Sequence, residues 1–278
     1  MTKHSAATGP TLFSAFLELR ALIEMSAAAS FQPLLKKVAK GDGHPVVVIP
    51  AFMTGDGGTS MLRRYLQAAG FAVYGWEQGR NIGIRQDFLD GLAAHVRDVS
   101  KRNGGRKVSV IGWSLGGVYA RALASSSPEL IRQVITLGSP FNVPTMDGIS
   151  GAVARLYEFL NPGGLNDPML ADAESWRVTP PVPSTAIYSE GDGVADWKYC
   201  VDEPGHETEN LKVPGSHMGL THNAAVMYAV AERLAQILGG RSLDVEQVIG
   251  GVPEPEHADG AVDHEAPQLG AGLAGRQL

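Results

Sequence analysis

The sequence predicts an α/β fold, a mostly parallel sheet of about six strands with helices on both faces and a small cap insertion. Two observations carry that expectation. From residue 45 onward, short continuous apolar runs of β type alternate with amphipathic helical stretches, the pattern of a parallel sheet covered on both sides. Within that alternation, the pentapeptide Gly112-Trp113-Ser114-Leu115-Gly116 sits between a buried-strand pattern and a helical one, the strand-turn-helix context that a Gly-x-Ser-x-Gly elbow requires.

In chain order, residues 1–44 read first as a helical arm. Leu12, Phe13, Phe16, Leu19, Leu22 and Ile23 recur at three- to four-residue spacing. The polar face of that arm is of mixed sign, whereas a membrane-surface helix carries a face rich in Lys and Arg. Glu18, Arg20 and Glu24 interrupt its apolar stretch, so neither a signal segment nor a transmembrane segment is expected, and a cytoplasmic location follows. The expected strands lie at 46–50, 71–76, 107–112, 133–138, 185–188 and 210–213, and the helices near 58–69, 85–102, 115–126 and 221–238. The alternation fails once, between Ser139 and Pro183, where seven prolines and one helical stretch near 147–160 stand. So long a crossover exceeds what a strand-helix-strand unit needs, and residues 140–182 are read as a cap. Phe141, Leu156, Tyr157, Phe159 and Leu160 make it moderately apolar. Beyond Gly239 the chain turns to Gly, Pro and acids without an apolar period, so residues 239–278 are read as a disordered acidic tail.

The 278 residues permit one domain or two. Setting aside the arm and the tail leaves about 200 residues, 45–238, the size of one α/β domain. The formal charge of −6 is also redistributed by that division. The tail holds seven acids and two bases and so carries nearly all of it. No Lys/Arg block exceeds two residues, which argues against a nucleic-acid partner. Cys200 is the only cysteine, excluding an intrachain disulfide and a Cys-rich metal site.

The chemistry centres on Ser114. A serine hydroxyl is a weak nucleophile at neutral pH; it needs a base within hydrogen-bonding reach and a third group to hold that base in the right tautomer. On this scaffold the acid and then the histidine follow the serine in the chain. Of the downstream histidines, His257 and His264 fall in the tail, and His222 falls in the first turn of the final helix, where a capping or surface role suits it. His217 occupies the loop between the last strand and the last helix, at the same sheet edge as the elbow, and is preferred over His206 and His222. The loop after the fifth strand offers Glu190, Asp192 and Asp196. Asp192 is preferred because Gly193 allows the sharp turn that carries a carboxylate under the imidazole, while Asp196 doubles as a helix cap before Trp197. An oxyanion needs two backbone N–H donors, one from the residue after the nucleophile and one from the loop after the first strand. Those are Leu115 and Phe52, with Met53 as the alternative to Phe52.

At these residues the chain resembles the α/β-hydrolase superfamily, and more closely the bacterial lipase-like esterases and the GPI inositol-deacylase-like hydrolases. The likeness runs from about residue 45 to 238. It rests on Ile-Pro-Ala-Phe at 49–52, Gly-Trp-Ser-Leu-Gly-Gly at 112–117, Thr-Leu-Gly-Ser-Pro at 136–140, Asp-Gly-Val at 192–194 and Gly-Ser-His-Met-Gly-Leu at 215–220. The resemblance implies hydrolysis of a carboxylic ester through an acyl-enzyme without a cofactor, and it favours Asp192 over Asp196. Pro50-Ala51 replaces the His-Gly usual before the oxyanion donor. An acyltransferase, a thioester or amide hydrolase, and a non-catalytic binding protein are the competing readings of the same residues. The expected partner is a small ester with an apolar moiety.

Other motifs read as structural. Gly55-Asp-Gly-Gly-Thr59 lacks the Lys-Ser/Thr ending of a phosphate loop and suits a turn into a helix. Asp56, Asp147, Asp167 and Asp172 lack the spacing of a calcium loop, so no metal is expected. Asn81 reads as a turn residue in preference to one orienting a cap or a substrate carbonyl.

Overall fold

The structure, a computed structural model, describes residues 40–142, 151–161, 169, 172–205 and 207–236. The expected N-terminal arm up to residue 39, much of the cap and the acidic tail lie outside the described residues.

Six strands form one sheet: β1 (Pro45–Ile49), β2 (Ala72–Tyr74), β3 (Val108–Trp113), β4 (Ile131–Leu137), β5 (Ser184–Tyr188) and β6 (Thr208–Lys212). Their order is β2-β1-β3-β4-β5-β6, and every neighbouring pair is parallel. The helices are α1 (Ser60–Ala68), α2 (Gln86–Arg102), α3 (Leu115–Ser126), α4 (Gly151–Leu160), α5 (Glu174–Arg177) and α6 (Ala224–Gln236). A 3₁₀ turn over Asp56–Thr59 leads into α1, in the place read as a turn into a helix.

Burial on both faces explains why the central strands read as unbroken apolar runs. All five residues of β1 and all six of β3 are buried. Because side chains alternate across a strand, Val46, Val48, Ile111, Trp113, Ile135 and Leu137 pack on one face with Leu62 and Leu66 of α1 and the buried side of α6. Val47, Ile49, Val108, Val110 and Val134 pack on the other with Leu92 and Val96 of α2 and the body of α3.

This order creates the site's position. The chain leaves β1 through α1 on one face, reaches β2, and returns through α2 on the other face to β3. The loops after β1 and β3 therefore diverge at a topological switch point, where the carboxyl ends of parallel strands open a crevice. Phe52 follows β1 and Ser114 follows β3; the loops after β5 and β6, carrying Asp192 and His217, end on the same edge.

Candidate active site

Ser114 links β3 to α3 with φ 53° and ψ −121°, a conformation that costs a non-glycine residue about 1–3 kcal/mol. The surroundings enforce it. The Ser114 N–H donates to the Leu137 carbonyl of the neighbouring strand (2.8 Å), and the Ser114 carbonyl accepts from the Gly117 N–H (2.9 Å). A Cβ at Gly112 would overlap the Gly116 backbone, and one at Gly116 would overlap the Ile49 carbonyl of β1. The two glycines let helix and strand close on each other and lift Ser114 onto the edge, where it stays partly exposed.

His217 and Asp192 meet there. His217 Nδ1 lies 2.6 Å from Asp192 Oδ2, with both side chains 3% exposed or less. The other carboxylate oxygen accepts the N–H groups of Val194 and Ala195, each at 2.8 Å. With Oδ1 so engaged, Oδ2 faces the imidazole as an acceptor, which assigns the proton to Nδ1 and leaves Nε2 as the ring's basic nitrogen. The loops that bring the pair together are fastened to each other and to the elbow. Ser189 Oγ donates to the Gly215 carbonyl (2.6 Å), Asn223 Nδ2 donates to the Pro214 carbonyl (2.6 Å), and the indole N–H of Trp113, beside Ser114, donates to the His217 carbonyl (3.1 Å).

The other candidates are used elsewhere. Asp196 caps the 3₁₀ turn Trp197–Tyr199 by accepting from the Lys198 N–H. Glu190 pairs with Lys212 at the surface (2.6 Å). His222 precedes the final helix instead of opening it, because α6 starts at Ala224 behind Asn223, whose Oδ1 accepts from the Ala225 N–H. Its Nδ1 lies 3.0 Å from Thr221 Oγ1, and burial lowers its pKa. His206, His257 and His264 lie outside the described residues, as do Asp147 and Asp167.

Among the described residues, neither the Phe52 nor the Leu115 N–H has a protein acceptor. Leu115 opens α3, where no carbonyl of the same helix lies four residues back. Met53, the alternative to Phe52, has φ 62° and donates its N–H to the Asn81 carbonyl (2.6 Å), so it is spent. The loop after Pro50-Ala51 forms a turn: the Thr54 N–H and Oγ1 both donate to the Ala51 carbonyl (3.1 and 2.8 Å).

Three features escaped the sequence reading. Gly138, just after β4, has φ 53°, and a Cβ there would stand 3.0 Å from Asp192 Oδ2 and 3.3 Å from His217 Nδ1. The His-Asp pair rests on a position that only glycine leaves open; the Gly in Thr-Leu-Gly-Ser-Pro was the available signal. Arg121, a lone charge in the apolar run of α3, is fully buried and bidentate to Asp202 (2.7 and 2.8 Å). It also donates to the Trp176 and Val178 carbonyls and lies 3.7 Å over the Phe141 ring. Phe141 therefore belongs to the core and contributes nothing to an apolar cap surface. Asn81 is no plain turn residue: it is fully buried and bonded to the loop after β1.

Comparisons with known proteins agree with this architecture. The family described as serine aminopeptidase, S33, has a model that matches residues 46–167. One of two metagenome-derived lipolytic enzymes, LipS and LipT, superposes with a TM-score of 0.51 at 17% identity over 73% of this chain and 96% of its own. A monoacylglycerol lipase of Paleococcus ferrophilus gives 0.49 at 16% identity over 70% and 96%. A triacylglycerol lipase of Pseudarthrobacter phenanthrenivorans is 41% identical over 49 residues, 18% of this chain and 15% of that lipase. The chain has the α/β-hydrolase fold. Among the described residues, no helix is long and apolar enough to cross a membrane.

Proposed function

We propose that the protein is a serine hydrolase that cleaves carboxylic esters through an acyl-enzyme. The observation that carries this reading is the buried His217–Asp192 pair at 2.6 Å, on the same sheet edge as a serine at φ 53°. In the mechanism, His217 Nε2 takes the Ser114 proton as Oγ attacks the ester carbonyl. Asp192 holds Nδ1–H and stabilises the imidazolium. The N–H groups of Phe52 and Leu115 receive the oxyanion. The imidazolium then protonates the leaving alkoxide, and His217 next activates water to release the acid.

An apolar acyl or alcohol group suits the surroundings. Phe52 and Leu115 are partly exposed, Met218 beside the imidazole is 41% exposed, and the Tyr157 ring from α4 stands 5.5 Å from that of Phe52. The triacylglycerol lipase segment supports such a substrate. The serine aminopeptidase description of the matching family supports a second reading, cleavage of an amide by the same residues. A chain-length series of p-nitrophenyl esters, run beside an aminoacyl p-nitroanilide with wild type and Ser114→Ala, separates the two. Ester turnover that rises with chain length and disappears in S114A is expected. Anilide turnover exceeding ester turnover would replace the first reading with the second, and turnover of neither would leave a binding protein.

A further inference from the structure

We propose that Asn81 is a positioning residue that sets the oxyanion hole by holding the loop after β1 from beneath; this rests on the hydrolase reading above. Asn81 bonds that loop at three points. Its side-chain Nδ2 donates to the Pro50 carbonyl (2.8 Å), its backbone N–H donates to the Thr54 carbonyl (2.8 Å), and its carbonyl accepts from the Met53 N–H (2.6 Å). These bonds bracket Phe52. They consume the neighbouring amide of Met53, turn that residue to φ 62°, and leave the Phe52 N–H without a protein acceptor among the described residues.

The side chain reaches beyond its own turn, to a carbonyl thirty-one residues earlier in the chain. Asn81 is fully buried, and its Oδ1 has no hydrogen-bond partner among the described residues. Among those residues, the one bond its side chain makes is the one Nδ2 gives to the loop after β1. The orientation of the amide is fixed as well, since the Pro50 carbonyl only accepts and so demands the N–H side.

The support beneath Asn81 is tied to the nucleophile's own helix. Tyr119 of α3 donates its hydroxyl to the Gly83 carbonyl (2.5 Å) and accepts from the Arg85 N–H (2.8 Å). At the other end, Asp56 accepts from the N–H groups of Trp76 and Glu77 (3.0 and 3.2 Å). Asn81 is thus the link through which Phe52, on the β1 side of the switch point, is held in register with Leu115 on the β3 side. An oxyanion hole works only if both donors aim at where the oxygen will be in the transition state. Loosening the link lowers kcat and leaves ground-state binding in place.

The test uses the full chain with Asn81→Ala and the near-isosteric Asn81→Asp, which keeps the shape and removes the amide donor. Three quantities are read: kcat and KM on a p-nitrophenyl ester, and inhibition by an alkyl trifluoromethyl ketone, whose serine adduct mimics the tetrahedral intermediate. We expect kcat to fall roughly 10- to 100-fold, somewhat less than deletion of an oxyanion donor, with KM within about threefold and inhibition weakened in proportion to kcat. A purely structural residue would not shift the inhibitor in step with kcat. Wild-type kcat in folded variants, a loss confined to KM, or failure of both variants to fold would overturn the proposal. Fluorophosphonate labelling, present in wild type and absent in Ser114→Ala, is run in parallel. If wild type is not labelled, or S114A is, it is the hydrolase reading that has failed.

Discussion

Replacing Asp192 by Asn changes one atom and reverses the bond that orients His217. Oδ1 of Asp192 accepts two backbone N–H groups at 2.8 Å, so in the variant the carbonyl oxygen keeps that place and the NH₂ group turns to the imidazole. Nδ1, 2.6 Å away, must then accept, and the ring proton moves to Nε2. A ring protonated at Nε2 offers Ser114 no base. The same Asp-to-Asn exchange in the triad of a serine protease lowers kcat about 10⁴-fold, or about 5.5 kcal/mol of barrier. We expect a loss of that order on a p-nitrophenyl ester with the fold intact by circular dichroism. Asp196→Asn is the control. Its carboxylate accepts the Lys198 N–H at an exposed cap, so it should lose at most about 1 kcal/mol of stability and little activity. A D192N enzyme within about tenfold of wild type, beside an inactive D196N, would refute the assignment.

Other consequences lie away from the serine. Burial lowers the pKa of His44, at the opposite end of the sheet, from 6.5 to about 4, with its Nε2 2.8 Å from Ser109 Oγ. The folded state then binds fewer protons than the unfolded state between those values. The contribution is whole above pH 6.5 and is lost as pH falls toward 4, up to about 3 kcal/mol. Urea melts at about pH 7 and pH 4 should show that loss in wild type, and a smaller one in His44→Gln; an equal loss in both would exclude His44 as its source. Arg121→Met leaves the Asp202 carboxylate buried without its partner, and breaking such a pair costs about 3–5 kcal/mol. A thermal melt should fall by about 10 °C; a shift under about 2 °C would mean that the pair holds nothing in place.

The legible parts of this chain are those where one residue's chemistry decides its neighbourhood. The central strands read as apolar runs because burial on both faces leaves no polar alternation to confuse them, whereas β2 and β6 at the sheet's edges are only partly buried. The elbow reads directly, since its two glycines stand where strand and helix backbones touch. The pairing of Asp192 with His217 was accessible because each occupies a loop following a strand, and parallel topology gathers such loops on one edge. What stayed hidden depends on contacts between distant segments. Asn81 looks like any Asn in a glycine-containing turn until the loop after β1 folds over it. Arg121 breaks an apolar helix pattern without naming Asp202, eighty-one residues away. Phe141 read as cap surface because it follows Pro140 at the start of a proline-rich stretch, yet it is buried under the Arg121 guanidinium. His222 was placed in a helix that Asn223 caps one residue later.

That Ser114 is a nucleophile activated by His217 is tested most directly by intact-mass and peptide-mapping analysis after treatment with a fluorophosphonate. One adduct per chain is predicted, mapped to Ser114, abolished in Ser114→Ala and slowed at least about a thousandfold in His217→Ala. An adduct on another residue, or labelling undiminished in either variant, would contradict that activation.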